Sequence, residues 1–224
     1  MINNRVNIHV KRIILWLSLL SCLLFAGCAM INYFMSETEI PQYTVLETKD
    51  DIEVRLYKPI NIASVTVAGK RKEALSQGFR VLADYIFGNN QIKQAINMTA
   101  PVQQQSADQI SQKIAMTAPV AQQMQDDMWQ ISFVMPSQYS IDSLPMPNNK
   151  QVTLIAIPQQ KVATIQFSGV NTDDNIAKHE KLLMQYLKQQ GISSEVAPKY
   201  AFYNSPWTLP FMRRNEVHIQ LFDK

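Results

Sequence analysis

Apolar and polar positions along this chain follow two periods, and the whole pattern is written twice. Near residue 52 the period is two: Ile52, Val54 and Leu56 fall on one face, Glu53, Arg55 and Tyr57 on the other. That alternation, rich in β-branched residues, predicts a strand with one face packed. A second strand is predicted at 62–67, after Pro59, and the period then becomes helical. Leu75, Phe79, Leu82 and Ile86 form one stripe, with Gly88 as the stop. The plan returns with strands at 152–157 and 162–167 around Pro158, then a stripe of Ile176, Leu183 and Leu187 closed by Gly191. Ala63 and Gly69 recur as Ala163 and Gly169, an offset of 100. Both prolines are expected in short hairpin connections, where a missing N–H does no harm. Further strands are expected at 113–116, 129–135, 199–204 and 216–222, and loops in the Gln-rich stretch 103–112 and at 137–150. Two helices against largely antiparallel strands make an α+β domain.

The N-terminal segment reads differently. Arg5, Lys11 and Arg12 precede a fourteen-residue stretch, 13–26, that is apolar except for Ser18 and Ser21 and runs into Gly27-Cys28. A basic start, a short apolar run and small residues make a secretory signal. Its Ala-Gly-Cys ending resembles the lipobox of bacterial lipoproteins, although Phe25 stands where Leu is usual. The expected division is a signal peptide at 1–27, a lipidated tether at 28–41 beginning with acylated Cys28, and one domain at 42–224. Extended to Ile31, the apolar run would also just span a bilayer as an uncleaved anchor. Ala29 after the Cys, rather than Asp, resembles the pattern of outer-membrane sorting in Gram-negative bacteria, which implies the periplasmic face of that membrane.

Processing would change the chemistry available. Cys22 would leave and Cys28 would be acylated, so neither a disulfide nor a thiol redox site is expected in the domain. The signal carries three basic and no acidic side chains, so the net charge of +3 falls to zero once it is removed. A neutral domain without a basic patch interleaved with aromatics gives no reason to expect nucleic acid. Gly-x-Ser-x-Gly, Walker, dinucleotide and His-Glu-x-x-His motifs are all absent from the sequence.

One short string is more specific than any of these periods. Met98-Thr99-Ala100-Pro101-Val102 returns as Met116-Thr117-Ala118-Pro119-Val120. With Pro41-x-Tyr43, Glu53-x-Arg55-x-Tyr57 and Arg213-Arg214-Asn215-Glu216-Val217, it makes the chain resemble the SOUL haem-binding family over about residues 40 to 224. The resemblance implies a duplicated unit forming a distorted antiparallel β-barrel flanked by two long helices. It also implies a shallow apolar groove for haem between the first helix and the loop before the last strand. Carried over by position, Leu75, Phe79 and Ala83 would line the groove from the helix, and Pro206, Trp207, Pro210, Phe211 and Met212 from the loop. Basic positions of the family's first helix fall here on Ser76 and Asp84, which leaves Arg80, Lys70, Arg71 or Arg213 to meet the propionates.

Other readings of the same residues stay open. Trp207 and Phe211 either bind a ligand or cap the barrel. Arg213 and Arg214 pair with Glu216 or Glu53 if their role is structural. His179, on the core-facing stripe of the second helix, is a candidate axial donor or a packed core residue. His218 shares a face with Glu216 and Gln220 and is expected to be solvated. Glu180 aligns with Phe79 through the duplication and is a general-base candidate if it faces an apolar groove. The leading expectation is non-catalytic carriage or buffering of haem or a similar tetrapyrrole by a monomeric, lipid-anchored protein. The alternatives are a small-molecule hydrolase or effector-binding domain on the same fold, or a lipoprotein that docks a protein.

Overall fold

The structure is a computed structural model in which Trp16 and residues 38–106, 128–192 and 196–222 are described. Cys28, the expected strand at 113–116 and the second Met-Thr-Ala-Pro-Val string lie outside the described residues. Residues 39–224 form one compact unit and residues 1–38 another.

The larger unit runs β1 (Tyr43–Lys49), β2 (Ile52–Tyr57), β3 (Ile60–Ala68), α1 (Arg71–Ile86), β4 (Val102–Ser106), β5 (Met128–Val134), β6 (Thr153–Ile157), β7 (Gln160–Phe167), α2 (Asp173–Gln189), β8 (Lys199–Phe202) and β9 (Asn215–Leu221). All nine strands join one antiparallel sheet in the order β1-β2-β7-β9-β8-β4-β5-β3-β6. Each half contributes an equivalent trio, β3-β5-β4 and β7-β9-β8, and the trios meet where β4 pairs with β8.

The two prolines do something other than turn hairpins. β2 does not pair with β3, nor β6 with β7. Instead β2 pairs with β7 from Ile52↔Ile165 to Tyr57↔Gln160, and β3 with β6 from Ile60↔Ile157 to Ser64↔Thr153. Both ladders share one register, which sets Pro59 opposite Pro158. Each half thus supplies one long bent strand, and the two long strands pair along their length. The bend falls where neither residue has an N–H to give. This ribbon joins the trios at their other side and curls the sheet into a distorted barrel, the duplicated α+β architecture that the resemblance implies.

Both helices pack on the outer face of the sheet. α1 lies on β3 and β5, and α2 on β7 and β9. Two apolar clusters result: Ala63, Val65, Ile131 and Phe133 with Leu82, Tyr85 and Ile86, and Val54, Ala163, Ile165, Val217 and Ile219 with Ile176, Leu183 and Leu187. Gly88 and Gly191 follow their helices with φ of 114° and 69°, as the stop signals predicted. The first stripe is rotated from its predicted position, however. Ala74, Gly78, Leu82 and Ile86 face the sheet, while Leu75 is half-buried and Phe79 is 37% exposed. Gly78 brings the helix onto the sheet so closely that a Cβ there would stand 2.7 Å from Ile131 Cβ.

A second correction concerns the Gln-rich stretch. Gln103, Gln104 and Gln105 are buried in β4, at the seam between the halves. Gln104 donates to the Arg71 carbonyl at 2.8 Å, and Gln105 to the Ala197 carbonyl at 2.7 Å. Gln104 and Gln105 thus find partners inside the fold, which a count of polar residues does not foresee, while Gln103 Oε1 is buried with no hydrogen-bond partner.

Candidate functional site

Two places in the fold gather functional types of side chain. The first is the inside of the barrel. Because the sheet curls, the face that carries no helix is enclosed, and the polar positions of alternating strands meet there. Arg55 of β2, Thr164 of β7, Glu216 and His218 of β9, Gln103 and Gln105 of β4 and Ser132 of β5 are all buried. The expected solvated position of His218 is therefore wrong: it is 6% exposed. Alternation separates two faces but does not say which is wet, and in a closed sheet the polar face is inside.

Glu216 is the hub, with 0% exposure. Its carboxylate accepts from Arg55 Nη1 at 3.0 and 3.1 Å, Arg214 Nε and Nη2 at 2.9 and 2.7 Å, Tyr203 Oη at 2.7 Å and His218 Nε2 at 2.7 Å. Arg55 lies over the Tyr43 ring at 4.4 Å, and Arg214 over that of Tyr203 at 4.1 Å. Burial alone would raise the Glu216 carboxyl, but His218, Arg55 and Arg214 outweigh it and hold the group far below the usual carboxylate range. Burial holds His218 below the imidazole range despite Glu216. A neutral His218 then gives Glu216 an Nε2–H, and the holding charge is that of the two arginines. A carboxylate so occupied is a weak base. Three of the sequence markers, Tyr43, Arg55 with Tyr57, and Arg214 with Glu216, thus converge on one structural knot. Thr99 of the fourth donates its hydroxyl to the Val134 carbonyl.

The second place is on the helix side. Phe79 projects from α1 with its ring edge-on to Phe133 at 5.3 Å. Register continues from Phe133 to Val102 to Phe202 to Asn215, across β5, β4, β8 and β9. The loop 203–214 leaves from Phe202 and returns at Asn215, so its base lies two strands, roughly 10 Å, from Phe133. Val102 and Phe202, both half-buried, lie on that row between them. Leu75 is half-buried beside Phe79, Ala83 is buried one turn on, and Arg80 is exposed.

The loop itself presents apolar side chains outward. Trp207 is 92% and Phe211 74% exposed, and Pro206, Leu209, Pro210 and Met212 are exposed as well. Trp207 therefore does not cap the barrel. Arg213 turns inward, donating from Nε to the Thr208 carbonyl at 2.8 Å and from Nη2 to the Pro206 carbonyl at 2.7 Å. It clamps its own loop, while Arg214 makes the pair with Glu216. The Pro210 carbonyl accepts from the Gly169 N–H at 2.8 Å, which ties the loop to the turn before α2.

His179 stacks flat on Phe167, ring centroids 4.1 Å apart, with Nδ1 2.7 Å from the Asn175 carbonyl oxygen. Glu180 accepts from Tyr200 Oη at 2.9 Å. Among the described residues no group of three or more His, Cys, Asp or Glu is placed to hold a metal ion. Two hollows lie elsewhere, one of about 150 Å³ beside Pro41 and Tyr139 and one of about 570 Å³ beside Leu46 and Phe222. On the helix side Phe79, Trp207 and Phe211 are exposed, with Arg80 as the exposed cation nearest Phe79 in sequence.

Comparison with known proteins decides the family. The profile described as SOUL heme-binding protein matches twice, over residues 38–111 and 105–220. The chain belongs to the SOUL heme-binding protein family. Two successive matches are consistent with a duplicated unit, although β5 of the first trio falls within the second match. No curated protein matches this SOUL chain. Among solved structures, the EcmrR C-terminal domain is similar with a TM-score of 0.57 at 10% identity, covering 81% of this chain and 99% of that one. A hydrolase from Listeria innocua is similar with a TM-score of 0.53 at 10% identity, covering 79% and 94%. At such identities the likeness is one of fold.

Proposed function

We propose that this SOUL-family chain carries or buffers haem, or a similar planar tetrapyrrole, without catalysis. Its place is the periplasmic face of the cell envelope, where acyl chains on Cys28 hold it as a monomer. Family membership supports the ligand class, and the observation that carries the reading is the outward apolar loop 206–212 near half-exposed Phe79. A porphyrin face laid on Phe79, Val102, Phe202 and Phe211 removes apolar surface from water, at about 25 cal/mol per Å². Arg80 supplies a charge-assisted hydrogen bond to a propionate. When bound, haem would bring its own iron chemistry. The chain's part is to hold the flat face and keep one side from water. The carboxylates do not favour the enzyme reading, since Glu216 is engaged by four side chains and Glu180 by Tyr200.

The test is titration of haem into the purified full chain in detergent, followed in the Soret band. A saturable shift is expected, weakened at least tenfold by Phe79→Ser combined with Phe211→Ser. A shift that never saturates, or one that ignores both substitutions, would end the reading. Mass spectrometry of the N-terminus reads the anchor separately: a diacylglyceryl modification on Cys28 is expected, and an intact Met1 would remove it.

A further inference from the structure

The domain's first residues lie at the same end of the barrel as the apolar loop. Glu39 accepts through its backbone carbonyl from Ala100 N–H at 3.0 Å, and through Oε1 from Ser137 N–H at 3.0 Å. Ala100 precedes the start of β4, and Ser137 follows the end of β5. β4 pairs with β8, whose end at Phe202 opens the loop 203–214. The point where the chain joins the domain is thus next to that loop, across one strand spacing.

Residues 206–212, Pro-Trp-Thr-Leu-Pro-Phe-Met, contain no charged side chain. The loop is held in shape from within by Arg213 and by the Met212 N–H donating to the Leu209 carbonyl at 2.9 Å. Its large side chains bury little of themselves in the fold. A protein surface seldom keeps Trp, Leu, Phe and Met together in water without a partner, and Trp beside aliphatic residues is the composition of a membrane interface.

From this geometry we infer that loop 206–212 dips into the lipid bilayer to which the N-terminal segment anchors the chain. The inference rests on the membrane-anchor reading of residues 1–28 and adds a contact to it. Residues 29–38 can reach at most about 35 Å when extended, and they join the domain beside the loop. Anchoring makes loop insertion an intramolecular step, so a weak apolar contact suffices. Charges of both signs stand near this end: Glu39 and Lys58 line one hollow, and Asp173, in the first turn of α2 with Asp174, pairs with Arg71. The loop 206–212 itself has no charged side chain, so its own contact is with acyl chains. Docked this way, the face between Phe79 and the loop opens at the bilayer, where an apolar tetrapyrrole partitions.

The experiment reconstitutes the purified full chain into phosphatidylcholine vesicles, with or without bromine on the acyl chains, and adds no haem. Flotation reports the anchor, and the difference in tryptophan emission between wild type and Trp207→Phe reports the loop. A blue-shifted Trp207 component that bromine quenches is expected, and Phe211→Ser with Met212→Ser should reduce the quenching. A chain that floats while Trp207 stays red-shifted and unquenched overturns the loop contact and leaves the anchor standing. A chain that does not float overturns the anchor and this inference with it. Circular dichroism of each variant checks the fold, which the exposed positions should leave unchanged.

Discussion

Replacing Glu216 by Gln is the sharpest test of the barrel interior. The side chain keeps its volume, so no cavity opens, and the change is one of charge and donor count. The carboxylate now accepts from four side chains, two of them guanidinium groups. A Gln amide has one acceptor oxygen, and its NH2 would face groups that are themselves donors. Arg55, with a side chain 3% exposed, would keep Glu53 at 2.6 Å as its remaining carboxylate. Breaking a buried ion pair from one side costs about 3–5 kcal/mol, which is at least a fifth of the ~5–15 kcal/mol that holds a typical domain together. For a domain of this size the fall in Tm is about 6–20 °C. Urea unfolding of the full chain in detergent, followed by circular dichroism, measures the loss. The double variant Arg55→Met/Glu216→Gln should lose less than the two single losses added, because the second change removes the stranded charge. A loss below about 1 kcal/mol for Glu216→Gln would refute the claim that this knot holds the barrel.

Other outcomes follow from the same packing. His218 is held below the imidazole range, so its neutral form stabilises the fold above about pH 6.5 and that stability is lost as pH falls; His218→Gln should flatten this upper part of the acid limb in a Tm-against-pH series. Glu216 acts in the same sense lower down, with its contribution present above about pH 4.3 and lost only as pH falls through its depressed value. Tyr85 donates to the Pro145 carbonyl at 2.8 Å, and burial, with Tyr139, pushes its phenol up to about 12. Its stability is present below about pH 10 and lost as pH rises from there, so Tyr85→Phe should flatten the alkaline limb and cost about 0.5–1.5 kcal/mol at pH 7. Gly78→Ala should destabilise by about 1–2 kcal/mol in urea, since overpacking against fully buried Ile131 exceeds the gain of about 1 kcal/mol in helix propensity. A Gly78→Ala protein more stable than wild type would mean that α1 sits further from the sheet.

What could be read from the sequence depended on whether the signal was local. The two strands and the helix of each half carry their period within ten to twenty residues, and these elements appear where expected. The duplication was legible because it is a comparison of the chain with itself. The closure was not. Pro59 and Pro158 each look like a hairpin corner, and only the partner strand a hundred residues away turns them into the facing bends of a ribbon. The same nonlocality hid β4, whose three glutamines read as a loop until β8 and Arg71 supply their partners. It also hid Gly78, because a helix stripe is recognised by bulk and close approach needs its absence.

The site follows the same logic. Markers that identify the family need not touch its ligand, and here Tyr43, Arg55, Tyr57, Arg214 and Glu216 spend themselves on one another inside the barrel. They serve closure: inside a curled sheet, burial favours polar groups that satisfy one another, although Gln103 Oε1 and Thr164 Oγ1 have no hydrogen-bond partner there. The residues left for binding are those the fold does not consume. On this chain the candidates we propose are the large apolar side chains of 206–212 and the half-exposed Phe79, which the packing leaves in water. Arg213 marks the boundary between the two sets, because its guanidinium is spent on two carbonyls of the loop that displays them. Substituting Arg213 should therefore weaken haem and bilayer contact together without touching either, by loosening the loop that presents both surfaces.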